Sequence, residues 1–131
     1  FMGEKDYQQF FLVKNFIEKK NKSKVYVCKT IRDRNMIALS SRNKLLNRGN
    51  LRILKLITSE LFILKKIILK NKNKSQTIIK KFKENLVKKF KVQVEYLECR
   101  NLINLKTNIQ NKNFKIFVAY YLNNVRLIDN F

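Results

Sequence analysis

Apolar residues return at helical spacing in three stretches of this chain and crowd into several shorter ones. From about Asp6 to Lys20, Phe10, Val13, Phe16 and Ile17 recur at three- and four-residue steps, and Phe11 and Leu12 widen the stripe. That spacing predicts an amphipathic helix. Asn21-Lys22-Ser23 breaks it, and Lys24-Val25-Tyr26-Val27-Cys28 predicts a strand. Phe1-Met2 reads as the end of a buried strand, with Gly3 permitting a sharp turn after it. A second helix is predicted from about Arg48 to Lys70, with Leu51, Leu54, Ile57, Leu61, Leu64 and Ile68 on one face. The same steps would suit a coiled coil, but they last only about three heptads, so packing within a domain is the better account. Ser75 is placed to cap a third helix reaching about Lys89, whose buried face would be Ile78, Ile79, Phe82, Leu86 and Val87. The period then changes. Val92, Val94, Tyr96 and Leu97 predict a strand to Cys99, and Leu102-Ile103-Asn104-Leu105 a short apolar link. Asn108 to Asn113 predicts a polar turn, Phe114 to Leu122 a strong strand, Asn123-Asn124 a turn and Val125 to Asn130 a last short strand.

Composition shifts near Leu45, which divides the chain into residues 1–44 and 45–131. Two helices followed by closely linked strands make the second part a small α+β unit with an antiparallel sheet. The first part runs strand end, polar turn, helix, strand, hydroxyl-rich turn. That is the order in which an α/β nucleotide site is built at the carboxyl ends of strands. Thr30 to Asn43 is a long polar connection anchored by Ile31, Ile37 and Leu39, and connections of that length inside compact chains are more often functional than idle. The first residue is Phe, and Met2 immediately precedes a polar block, so a sizeable N-terminal portion is expected to be missing. No internal repeat is visible.

Length and composition narrow the class. At 131 residues with 45% hydrophobic residues, the chain suits about one domain with a modest core. Thirty Lys+Arg against nine Asp+Glu give a formal charge of +21, which points toward nucleic acid or an anionic membrane. The charge is spread along the whole chain, however. Lys, Asn, Ile, Leu and Phe are abundant while Pro, Trp and His are absent, so compositional drift is the better account. Cys28 and Cys99 each sit in a strand-like apolar run and are too few for a disulfide framework, so both are expected to be buried, reduced thiols of a cytoplasmic protein. The start shows no secretory signal, and Arg52, Lys55, Glu60, Lys65 and Lys66 interrupt the most apolar stretch too often for a membrane span.

Two polar blocks carry candidate chemistry. Gly3-Glu4-Lys5-Asp6-Tyr7-Gln8-Gln9 sets a Gly before a helix start, where exposed N–H groups and the helix dipole favour an anion. Lys5 adds a mobile cation, Asp6 can cap the helix, and Gln9 lies one turn further on the same side as Lys5. Leu39-Ser40-Ser41-Arg42-Asn43 joins adjacent hydroxyls to a forked guanidinium, a donor array suited to triphosphate oxygens. Taken singly, each block is better explained as an ordinary capped turn.

Taken together, Gly-Glu-Lys-Asp-Tyr-Gln-Gln and, about thirty residues on, Ser-Ser-Arg-Asn resemble the pantothenate synthetase (pantoate–β-alanine ligase) family. Thr30-Ile31-Arg32-Asp33 resembles its Thr-Val-Arg-Glu, and Val94-Glu95-Tyr96-Leu97-Glu98 its Asp-Tyr-Leu/Val-Glu strand. Ala119-Tyr120-Tyr121-Leu122 and Arg126-Leu127-Ile128-Asp129-Asn130 resemble its closing Ala-Ala-Tyr-Leu and Thr-Arg-Leu-Ile-Asp-Asn. The matches run end to end, so the chain resembles the C-terminal half. The implied fold is the C-terminal edge of a Rossmann-like nucleotidyltransferase domain followed by the small α+β domain.

The resemblance implies ATP-dependent joining of pantoate to β-alanine through a pantoyl adenylate, releasing pyrophosphate and AMP. It implies that Gly3, Glu4, Lys5, Asp6, Ile31, Leu39, Ser40, Ser41 and Arg42 contact ATP and that Gln9 hydrogen-bonds pantoate. Lys5, Ser40, Ser41 and Arg42 would serve catalysis. Mg²⁺ would accompany ATP, with no metal ligand assigned in this chain, and the complete enzyme would be a homodimer. The chain departs from the family at Lys29, usually Pro, and at Val27 and Met36, usually Gly, and it is one residue short near Lys22. The family's His-x-Gly-His-type motif lies in the other half, so this chain alone is expected to be inactive. A small basic RNA-binding or ribosomal protein is the alternative. It would explain the charge but not the paired blocks, and a degenerate pseudoenzyme is a third reading.

Overall fold

A computed structural model of the chain describes residues 1–20, 23–109 and 113–131. Its elements are β1 (Met2–Gly3), α1 (Tyr7–Lys20), β2 (Val27–Cys28), α2 (Arg48–Lys70), α3 (Ser75–Phe90), β3 (Gln93–Asn101), β4 (Phe114–Leu122) and β5 (Val125–Asn130). Short 3₁₀ turns at Glu4–Asp6 and Ser41–Leu45 carry the two polar blocks. β1 and β2 pair in parallel, Met2 with Val27 and Gly3 with Cys28, across the α1 crossover. β3, β4 and β5 form an antiparallel sheet in that order. The architecture is thus a fragment of parallel α/β structure followed by a small α+β unit.

The core lies between α2, α3 and the antiparallel sheet. Ile57, Leu61, Leu64 and Ile68 of α2 are at most 1% exposed, and Ile116 and Val118 of β4 are fully buried. β4 is the central strand and is buried along most of its length. Two central positions of the β4–β5 hairpin, Asn123 and Asn124, both take positive φ (45° and 62°), the conformation that a tight turn between twisted strands demands and Asn tolerates. The α2 cap is supplied by Asn47, whose side chain accepts from the Asn50 N–H.

Several expectations need correction. Ser75 is the first residue of α3 and is buried, and the cap position is Lys74, which makes no side-chain capping bond. Leu51 and Val87 sit at the edges of their stripes and are exposed, because the sheet covers a narrower arc than the apolar pattern spans. Of the predicted 24–28 strand only Val27 and Cys28 take strand structure, with the Tyr26 carbonyl accepting the Met2 N–H (2.8 Å) just before them. Of the α1 stripe, Phe10 alone is buried, and Phe16 is 60% exposed. Phe1, expected in a buried strand end, is 93% exposed, and Cys28 is exposed while Cys99 is buried. The departures at Phe1, Cys28 and α1 share a cause. The parallel pair is two residues long and, among the described residues, its outer face carries no covering layer, so side chains patterned for burial meet solvent. Gly3 adopts φ −71° and ψ 136°, ordinary extended backbone, so no special conformation requires glycine there. Asn21 and Lys22 of the predicted break lie outside the described residues, as do 110–112 of the predicted polar turn.

Candidate functional site

The 3₁₀ turn after β1 presents the first block, and long-range bonds hold it. Glu4 points inward. One of its carboxylate oxygens accepts the Thr30 N–H (3.2 Å) and the other meets Lys115 Nζ (2.9 Å). Burial pushes the Glu4 carboxyl up, but hydrogen bonds from Lys115 and Thr30 and the charges of Lys115 and Arg32 outweigh it, leaving the group below its ordinary range. Lys5 is half-buried, while Asp6 and Gln9 are exposed. The Tyr7 hydroxyl donates to the Leu102 carbonyl (3.3 Å), and its ring contacts Phe10 and Phe117, which ties the start of α1 to the antiparallel sheet.

The second block is reached through a small hairpin. Arg32 and Ala38 form a bridge, and Asp33 Oδ1 accepts the N–H groups of Asn35 and Ile37 (2.8 and 2.9 Å). Met36, where the family usually has Gly, takes φ 64°. This left-handed conformation is strained for a side chain but free for glycine. Beyond the hairpin, Ser40 caps the turn by accepting the Arg42 N–H on Oγ (3.3 Å), and Asn43 Nδ2 donates to the Ala38 carbonyl (2.9 Å). The outer members of Ser-Ser-Arg-Asn therefore shape the loop. Ser41 and Arg42 remain exposed.

Lys5, Ser40, Arg42 and Asn43 line one cavity, walled by Leu54, Thr58 and Leu61 of α2 and by Asp129 and Phe131 from the chain's end. It measures about 20 Å³, room for about one water and far too little for a nucleotide. A second cavity of about 120 Å³ is lined by Lys5, Asp6, Gln9, Tyr96 and Phe117, and it shares Lys5, Ile128 and Asp129 with the first. Leu39 and Ser41 instead line an open groove on the other side of the loop, which Ser40 and Asn43 also reach. Ile31 is 72% exposed and lines none of these three cavities. A Cβ added at Gly3 would meet nothing within 4 Å, so that face of the block is open.

One cluster was not assigned a role from the sequence. Arg32 makes a forked pair with both oxygens of Asp129 (2.8 and 2.9 Å), donates to the Asn130 and Met36 carbonyls (2.8 and 2.9 Å), and packs over the rings of Phe62 and Phe131. Asn130, 1% exposed, donates to the carbonyls of Glu4 and Lys5 (2.6 and 3.0 Å) and accepts from Lys115 (2.8 Å). The motifs containing Arg32 and Asn130 were visible, but nothing along the chain tells that they meet.

The model of the pantoate-beta-alanine ligase family matches residues 1–131. The chain belongs to the pantoate–β-alanine ligase family. The pantothenate synthetase of Flavobacterium psychrophilum is 33% identical over 135 residues, covering 99% of this chain and 47% of that protein. The bifunctional pantoate ligase/cytidylate kinase of Prochlorococcus marinus is 38% identical over 131 residues, which is 98% of this chain and 25% of that one. The crystal structure of the Thermus thermophilus pantothenate synthetase superposes with a TM-score of 0.83 over 98% of this chain and 47% of its own, at 24% identity, a likeness of fold. The pantoate–β-alanine ligase of Francisella tularensis, solved with β-γ ATP and β-alanine, matches with a TM-score of 0.63 at 31% identity, covering 99% of this chain and 41% of that one. The chain thus spans about half the length of the pantothenate synthetases it matches. The family match favours the ligase reading over a small basic RNA-binding protein. Among the described residues no helix is long and apolar enough to cross a membrane.

Proposed function

We propose that this chain supplies one wall of the active site of an enzyme that joins pantoate to β-alanine at the expense of ATP. The observation that carries the proposal is the convergence of Lys5, Ser40 and Arg42, from two blocks spaced as in the family, on one cavity. The carboxylate of pantoate attacks the α-phosphorus, forming the acyl–phosphate bond as the bond to pyrophosphate breaks. The β-alanine amine then attacks the activated carbonyl, loses a proton and expels AMP. Negative charge grows on the leaving oxygens in the first step, so catalysis rests on positioning and charge stabilisation. Lys5 and Arg42 offset that charge, Ser40 and Ser41 donate to phosphate oxygens, and Gln9 holds pantoate in the adjoining cavity. Gly3 admits the nucleotide closely, and Glu4, Ile31 and Leu39 complete the contact surface.

Mg²⁺ fits this arrangement as a companion of ATP. Among the described residues no group of three or more His, Cys, Asp and Glu could hold a metal by itself, but Mg²⁺ needs only one or two carboxylates beside phosphates and waters. Asp6, exposed beside Lys5, is the carboxylate that would hold it. Bound there, Mg²⁺ would supply positive charge to the phosphates.

The small cavity suits a wall rather than a complete pocket, and the rest of the site would come from the N-terminal half of the family fold. Residues 1–44 would close that nucleotide-binding part and 45–131 would form the C-terminal domain. The exposed Phe1, Leu12, Phe16, Tyr26 and Val27 offer a surface on which that half would pack, since parallel sheets are covered on both faces. The complete enzyme is proposed to be a cytoplasmic homodimer. The experiment is pantoate-dependent ATP–pyrophosphate exchange with this chain and the N-terminal half of the Flavobacterium relative. Exchange should need both pieces, and Arg42→Ala should reduce it roughly 10²–10³-fold, as loss of one oxyanion donor does. Exchange indifferent to Arg42→Ala would refute the assignment.

A further inference from the structure

Asn130, the penultimate residue, is bonded to residues 125 and 126 positions away. Its carboxamide has two N–H donors and an acceptor oxygen, and the surroundings use both kinds. Nδ2 donates to the carbonyls of Glu4 (2.6 Å) and Lys5 (3.0 Å), and Oδ1 accepts from Lys115 Nζ (2.8 Å). The orientation of the amide is fixed by chemistry, because two carbonyls require a donor and an ammonium requires an acceptor. Lys115 also pairs with the Glu4 carboxylate (2.9 Å), so Glu4 is gripped at its backbone and at its side chain. Asn130 is itself held. Its carbonyl accepts from Arg32, its N–H donates to Asp129 Oδ1, and it is 1% exposed.

We infer that Asn130 is a positioning residue for Lys5: its buried amide fixes the backbone of the Glu4–Lys5 turn and thereby aims the Lys5 ammonium at the phosphates that Arg42 also faces. This rests on the ligase reading above. Aspartate has nearly the shape of asparagine but would set a carboxylate oxygen against two carbonyl oxygens, while keeping the contact with Lys115. Asn130→Asp therefore opposes the clamp without emptying the space.

The test has a ligand-free arm on the 131-residue chain and an ATP arm on that chain combined with the N-terminal half of the Flavobacterium relative. Amide hydrogen exchange at residues 4–9 should accelerate roughly tenfold or more in Asn130→Asp, as loss of a buried hydrogen bond implies, with the α2 amides unchanged. Asn130→Ala gives the same readout should the aspartate variant fold poorly. ATP is then titrated into the two-piece assembly carrying the wild-type chain, Asn130→Asp, Lys5→Met or the double variant, following the backbone amide resonances of this chain. Each single change should weaken ATP, and the double variant should be no weaker than the worse single, the non-additivity expected of residues acting through one another. AMP, lacking the outer phosphates, should be affected less. Unchanged exchange at 4–9, or additive losses of ATP affinity, overturns the clamp and leaves the ligase reading standing. A wild-type assembly of the two pieces indifferent to ATP, or one whose ATP binding ignores Lys5→Met, removes the ligase reading and the clamp together.

Discussion

Glu4 shows how a residue within a functional block can serve the scaffold. It stands beside Lys5, yet its carboxylate is committed to Lys115 and the Thr30 N–H. Its pKa lies below the ordinary 4.5, because the bonds and charges from Lys115, Thr30 and Arg32 outweigh the opposing effect of burial. A depressed carboxyl pKa means that the unfolded chain takes up a proton first as pH falls. The stabilisation is therefore fully present above the unfolded value and disappears as pH drops through the folded one. Urea melts of the wild type and Glu4→Gln should differ at pH 7, with the variant weaker, and the gap should shrink as pH falls below the ordinary 4.5 and through the lowered folded value. A gap that persists unchanged in acid would show that the Glu4–Lys115 charge pair is not its source. Cys99 behaves oppositely, since burial pushes its thiol up to about 12, as suits an inert core group.

Among elements, those with a strong period and a complete set of neighbours were the legible ones. α2 spans the predicted 48–70, and β4 and β5 span the predicted 114–122 and 125–130. For each, local pattern and tertiary packing agree. α1 has the right extent, but only Phe10 of its apolar stripe is buried, because burial depends on a layer that the chain's own pattern cannot supply. The site was half legible. The two blocks could be picked out by residue type, but the placement of Arg42 on one side of the serine loop, Leu39 and Ser41 on the other and Ser40 on both depends on the turn's internal bonds. The Arg32–Asp129–Asn130 cluster was not legible, since it joins positions about a hundred residues apart. α2 also carries the cost of disrupting the core. Leu64 is fully buried, whereas Ile63 beside it is 52% exposed. Leu64→Ala should lose about 2–5 kcal/mol from the transfer and cavity terms together, and Ile63→Ala should lose far less. Chemical denaturation of the two variants measures the contrast, and similar losses would mean that α2 packs by a different face.

At the scale of the whole molecule the charge decides what the solvent does. Thirty cationic side chains face nine carboxylates, so few cations can find a partner. The two interior pairs, Arg32–Asp129 and Glu4–Lys115, have side chains 13–26% exposed, and partly buried pairs are screened much less than surface charges. The lysines with no carboxylate partner among the described residues are another matter. Lys19, Lys20, Lys66, Lys70, Lys80, Lys81, Lys88 and Lys91 all lie exposed on three helices and the turn that follows them. Their mutual repulsion is long-ranged in dilute salt, where the screening length is about 30 Å at 0.01 M, and it is curtailed at about 8 Å at 0.15 M. Repulsion of like charges opposes the compact state. Screening should therefore remove more destabilisation than it costs in attraction, and the melting temperature should rise with sodium chloride over that range. A melting temperature that falls as salt is added would mean that attraction in the more exposed pairs, Lys89–Glu60, Arg100–Glu98 and Arg126–Glu95, outweighs the repulsion and that the surplus charge is carried without penalty to the fold.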